Sequence, residues 1–116
     1  MYVDGFLCAV PTANKDAYRQ FAEQAAPVFR ECGALSLVEC WGDDVPDGKV
    51  NSMKSAVLCG EDETVVFSWI TWPSKAVRDA AMEKIMADPR FDPATHPMPF
   101  DGERMIFGGF ELLLEA

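Results

Sequence analysis

Histidine and positive charge are what this sequence has least of. One histidine, His96, stands among 116 residues, and 10 Lys plus Arg face 19 Asp plus Glu, a formal charge of −9. Such a field repels phosphates and acidic lipid headgroups, so neither nucleic acid nor a membrane surface is an expected partner. Lys49, Lys54 and Arg104 are scattered, and no basic run interleaved with aromatics exists. No HxH, HxxxH or Cys/His cluster supplies the ligands a transition metal needs, so no metal is expected. Cys8, Cys32, Cys40 and Cys59 lack CxxC spacing and read as reduced thiols in apolar stretches. No apolar run approaches the ~20 residues that span a bilayer. The first residues, Met1-Tyr2-Val3-Asp4-Gly5, lack the basic and apolar regions of a signal peptide. A cytoplasmic protein is the expectation.

What is present is ordinary globular composition, 49% hydrophobic and 25% charged, at a length that suits one domain over residues 1–116. Tyr2 to Val10 reads as a strand, closed by Pro11. Asn14 is placed to cap a helix whose Tyr18, Phe21, Ala22, Ala25, Phe29 and Cys32 recur at three- and four-residue intervals. Pro27 predicts a kink or weakened turn near Glu23, and Gly33 a C-terminal cap. Leu35 to Trp41 is a second strand. A turn-rich excursion follows, in which Ser52 to Cys59 forms a short helix or an extra strand. Thr64 to Trp72 is the strongest strand, rich in β-branched and aromatic residues. Ser74 caps a second long helix with Val77, Ala81, Met82, Ile85 and Met86 on one face, ended by Asp88-Pro89. After a proline-rich loop, Pro93 to Pro99, the segment Arg104 to Leu114 reads as a last strand. Gly108-Gly109 within it marks a bulge or a close backbone approach.

The order strand, helix, strand, repeated, predicts an α+β fold of the ferredoxin-like βαββαβ type, with helices on one face of a four-stranded antiparallel sheet. Tyr2, Phe6 and Cys8 alternate with Val3, Leu7 and Ala9, and Phe67 and Trp69 with Val66, Ile70 and Trp72. Both sheet faces are therefore apolar, and the second needs a cover. Another copy of the chain supplies it most economically, which predicts a homodimer.

The segments Tyr2-Val3-Asp4-Gly5-Phe6, Val38-Glu39-Cys40-Trp41-Gly42-Asp43-Asp44, Val65-Val66-Phe67-Ser68-Trp69-Ile70 and Met98-Pro99-Phe100-Asp101-Gly102 closely resemble the YbaA-like family of uncharacterised bacterial proteins, a domain of unknown function. The resemblance implies a dimeric α/β barrel, in a superfamily that includes cofactor-free monooxygenases and haem-degrading enzymes. The latter carry an Asn on the first strand, which Tyr2 to Val10 lacks, so neither haem nor another cofactor is expected.

Candidate site residues follow. His96, in the loop before the last strand, is a general base at a barrel mouth or a solvated loop residue. Trp41, Trp69 and Trp72 wall a pocket for a flat ligand or pack the core and dimer interface. Glu39 shares a strand face with Leu35, Leu37 and Trp41, and Asp4 is similarly placed. Each is a carboxyl with a raised pKa fit for acid–base work, or the partner of Lys54, Arg78 or Arg104. The leading functional reading is a pocket for a small hydrophobic or aromatic molecule, in a cofactor-independent monooxygenase if chemistry occurs. The alternative is a non-catalytic homodimeric module with a filled interior.

Overall fold

A computed structural model describes residues 1–116. The chain runs β1 (Tyr2–Pro11), α1 (Lys15–Glu31), β2 (Ser36–Trp41), α2 (Met53–Ala56), β3 (Glu63–Trp72), α3 (Lys75–Met86) and β4 (Ile106–Glu111). The four strands form one antiparallel sheet in the order β2-β3-β1-β4. This is the predicted α+β, ferredoxin-like arrangement. The two longest strands, β1 and β3, occupy the centre and pair along their whole length, from Tyr2↔Trp72 to Pro11↔Glu63. Their β-branched and aromatic residues are the ones a sheet with two covered faces favours.

Period-two alternation sorts the side chains. Tyr2, Phe6, Cys8 and Val10 of β1, with Val66, Ile70 and Trp72 of β3, face α1 and α3. There they join Val28, Ala81 and Ile85 in the main core. Val28, almost fully buried, is a core residue the periodicity reading omitted; Met86, assigned to the apolar face of α3, is exposed. The opposite face carries Val3, Leu7, Ala9, Val65, Phe67 and Trp69. One end is covered by α2 and the fully buried Val57, which packs on Ala9 and Val65. Ser52 to Cys59 is thus a short helix, fixed by a reciprocal Ser52–Ser55 capping box. The rest is open: Phe67, Ile106 and Phe110 are exposed and, with Leu7 and Met53, border a shallow apolar depression.

Several local expectations are corrected. Asn14 occupies the N-cap position of α1 but makes no side-chain cap; its Nδ2 instead donates to the Pro99 carbonyl at 2.9 Å. Helix α1 continues through Pro27 to Glu31, and Gly33, with φ at +112°, follows its end in the backbone region where glycine carries no Cβ penalty. The last strand spans Ile106–Glu111, not Arg104 to Leu114. Arg104 lies in a 3-10 turn capped by Asp101. Leu112 donates to the Met1 carbonyl, where β1 runs out and leaves Leu113 and Leu114 exposed without a partner. Gly108 and Gly109 pair in continuous register with Gly5 and Asp4, so no bulge forms. The close approach is real: a Cβ on Gly109 would overlap the Tyr2 hydroxyl and the Arg78 guanidinium. Of the four free cysteines only Cys8 is buried, and Cys40, on the edge strand, is exposed.

Candidate functional site

The two carboxylates singled out from the sequence have opposite fates. Asp4, buried on β1, accepts the indole N–H of Trp72 at 2.9 Å and lies 3.4 Å from the Nε of Arg78. Arg78 in turn donates to the Tyr2 hydroxyl at 2.8 Å and stacks over the Tyr2 ring. Asp4 is therefore an anchored structural anion, and Trp72, fully buried, has its indole in that network and the core, away from any ligand surface. Lys54 pairs with Asp47 and Arg104 with Glu63. The two-pronged Arg104 contact and the Gly60 backbone N–H hold the Glu63 carboxyl down at about 2.

Glu39 has no cation. Both of its carboxylate oxygens accept from the Tyr18 hydroxyl, at 2.8 and 2.9 Å. Register places it opposite Ser68, whose hydroxyl also favours the ionised form. Burial nevertheless outweighs these bonds and raises the Glu39 pKa above the ordinary carboxylate range. By surface area the residue as a whole is exposed, because β2 is an edge strand. Its carboxylate, however, sits in a concavity crowded by Tyr18, Cys8 and their neighbours, and that local crowding governs its solvation. Cys8, beside Tyr18, has its thiol pushed up to about 12, first by burial and then by the Glu39 charge. The Tyr18 hydroxyl is likewise raised, by burial first. Both are neutral hydrogen-bonding groups at physiological pH.

This cluster lies at the junction of two spaces. Inside is an apolar cavity of about 200 Å³ between the sheet and α1, bounded by Phe6, Phe21, Ala25, Phe29, Leu37 and Ile70 and roofed by Phe91, Met98, Phe100 and Met105. Outside is a groove of about 400 Å³ between α1 and β2. Tyr18, Ala22, Leu37 and Glu39 border both, so they form the threshold. Trp41 walls the groove, with the Lys15 ammonium 5.5 Å from its ring. Trp69 borders the cavity between Ser68 and Ile70, but strand parity sends its indole to the opposite face, where its ring lies 5.5 Å from that of Phe67. Of the three tryptophans, Trp41 alone presents its ring to the approach.

His96 is neither solvated nor at the threshold. It is buried behind the cavity wall, stacked on Phe21 at 4.0 Å and edge-on to Phe91 at 5.2 Å. Its Nδ1 meets the Gln24 Oε1 at 3.2 Å, and its buried Nε2 has no partner. Burial depresses its pKa, so the folded chain favours the neutral ring. That contribution to stability is full above the imidazole's ordinary pKa of ~6.5 and is lost as pH falls through the depressed folded value. Because Phe91 belongs to the cavity roof, hydrogen-exchange protection factors across residues 89–105, corrected for the intrinsic pH dependence, are expected to fall on acidification below the ordinary imidazole pKa of ~6.5. His96→Phe should flatten that response.

Tyr18 and Cys8 were not identified as site residues from the sequence. Tyr18 reads there as one more member of an apolar helix face, and the signal available was its hydroxyl: a buried tyrosine needs a partner, and Glu39 was the unpaired acceptor. The roof aromatics carry no periodic signal at all. No three His, Cys, Asp or Glu side chains converge to hold a metal ion, and no helix is long and apolar enough to cross a membrane.

Comparison with known proteins gives a family and assigns no activity. Residues 1–102 match a family described as "Protein of unknown function (DUF1428)". Over 114 residues the chain is 60% identical to "Uncharacterized protein YbaA" of Escherichia coli (strain K12), covering 98% of this chain and 97% of that one. The protein of the same description from Shigella flexneri matches to the same extent. With the family match covering residues 1–102 and a 60% identical relative covering nearly the whole chain, the chain belongs to the DUF1428 family of proteins of unknown function.

Proposed function

We propose that this protein binds a small apolar or aromatic molecule in the cavity between sheet and α1, entering by the groove beside Trp41. The observation that carries this reading is the uncompensated Glu39 carboxylate at the mouth of an otherwise apolar space. A carboxyl crowded by apolar neighbours and left without a cation costs stability that a structural role would not require, and such sites cluster where ligands bind or protons move. Its chemistry is that of a proton acceptor. That suits a cofactor-independent oxygenase, in which Glu39 deprotonates an electron-rich substrate whose anion reduces dioxygen directly. The apolar cavity of about 200 Å³ supports this reading over that of a purely structural module with a filled interior.

The test is a panel of small aromatics and quinols followed by thermal shift and by oxygen uptake. Ligands should raise the melting temperature of the wild type. Ala22→Phe, at the half-buried threshold, should weaken them by about tenfold or more while the protein stays folded. No shift across the panel, with no oxygen uptake, would sink the proposal.

The functional unit in this reading is a cytoplasmic homodimer. Four free thiols suit a reducing compartment, and the exposed Phe67, Ile106 and Phe110 on the open sheet face suit a second copy of that face. Light scattering should return twice the 12.8 kDa chain mass, and Phe110→Asp should return the monomer.

A further inference from the structure

Taking the cavity as a ligand site, as proposed above, the hydrogen-bond inventory at its threshold says more about the occupant. Tyr18 has a single O–H, and that hydrogen is already directed at the two Glu39 oxygens. Ser68, opposite Glu39 in the strand register, is the one other polar side chain on the cavity wall. Cys8, held as a neutral thiol beside Tyr18, offers only a weak S–H. The Tyr18 donor is thus spent inward. What Glu39 and Tyr18 still present to the space is acceptor capacity: the further lone pairs of the carboxylate and of the phenol oxygen. Every other cavity wall named is apolar.

We infer that this threshold selects a neutral aromatic ligand bearing one hydrogen-bond donor, a phenolic O–H or an aryl N–H, and discriminates against isosteres that only accept. The physical reason is asymmetric. A donor gains a charge-assisted bond to Glu39 at the edge of an apolar space. An ether or ketone oxygen in its place finds lone pairs opposite lone pairs and gives up its hydration for nothing. An aromatic carboxylate meets the Glu39 charge as well. Polar sites of this kind discriminate more sharply than apolar ones, because the mismatched analogue leaves buried groups unpaired.

The experiment uses three matched probes, naphthol, methylnaphthalene and methoxynaphthalene, each substituted at the same ring position, titrated into the full-length protein by calorimetry or tryptophan fluorescence. Naphthol is expected to bind about tenfold or more tighter than either of the others. Glu39→Gln keeps the side-chain size but adds amide donors, and should collapse that ratio towards one. Tyr18→Phe frees the carboxylate and should keep the naphthol preference. Binding of none of the three overturns the cavity reading and this inference together. Equal binding of all three overturns donor selection while leaving the cavity reading intact. A preference that survives undiminished in Glu39→Gln overturns the assignment to Glu39. The three-probe comparison on the wild type decides the matter even if a variant fails to fold.

Discussion

Replacing Asp4 with alanine is expected to lower the stability of the fold by about 3–5 kcal/mol, the range for removing one member of a buried ion pair. The carboxylate receives the Trp72 N–H and faces the Arg78 Nε, and all three are largely withdrawn from water. Arg78 Nε has no hydrogen-bond partner of its own, so without Asp4 its charge is held only by the Tyr2 hydroxyl and ring and by Asp79 on the same helix. The Trp72 N–H loses its acceptor in the middle of the core. Nothing can move in to replace them, because the backbone of Gly109 lies against the Tyr2 and Arg78 side chains. A fall of about 10 °C or more in melting temperature follows for a chain of this size. Asp4→Asn, which still accepts from Trp72, should lose less, about 1–3 kcal/mol. The double variant Asp4→Ala/Arg78→Met should recover part of the loss, since it removes the stranded charge as well. Denaturant unfolding of the four proteins measures this; a single Asp4→Ala variant within 1 kcal/mol of wild type would show that the network does not hold the helix-facing side of the sheet together.

Glu39→Gln is expected to act in the opposite sense on stability and more severely on function. The folded chain raises the Glu39 pKa, chiefly by burial, so it binds that proton more tightly than the unfolded chain does. The resulting contribution to folding is fully present below the ordinary carboxylate pKa of ~4.3 and is lost as pH rises through the higher folded value. Above that range the side chain therefore works against folding. Glutamine, uncharged and still able to accept from Tyr18, carries no such penalty. The variant should melt above the wild type at pH 7, and the advantage should fade towards about pH 4. Any reaction in which the site removes a proton should slow by about 10²–10⁴-fold, the usual worth of a positioned general base. A gain in stability coupled to a loss of function is the signature of a residue kept for its chemistry. A variant less stable than wild type at pH 7 would mean instead that the Tyr18 bond outweighs desolvation and that Glu39 is a structural acceptor.

The 60% identity to proteins described only as uncharacterised shows the family, not an activity. Under the ligand-binding proposal, the arrangement of Glu39, Tyr18 and the roofed cavity makes an activity testable, since it gives the position a substrate would reach and the group that would act on it.

Much of the architecture was legible because it rests on local rules. The alternation of Val66, Ile70 and Trp72 against Phe67 and Trp69 is a two-residue period and survives folding unchanged. The Ser74 cap depends on a side chain three residues from its partner, and it forms as read. Asn14 fails as a cap for the complementary reason: the carbonyl that claims its amide belongs to Pro99, 85 residues away. The site was legible only in outline. Glu39 and Asp4 look alike in the sequence, each an acid among apolar strand residues, and both had the same three cations on offer. Arg78 reaches Asp4 because α3 lies over that end of β1, while the strand register opposes Glu39 to Ser68 and leaves it Tyr18 in place of a cation.

The sequence by itself therefore determined the order of the four strands and two long helices, the alternation along β1 and β3 and most of the apolar stripe of α1 and α3, since these follow from periodicity within a single segment. Which sheet face met the helices, which tryptophan reached a ligand path, what buried His96, and which carboxylate was left without a cation were decided by tertiary structure alone. Each depends on contacts between residues far apart in the chain, where register and packing, not local propensity, choose the partner.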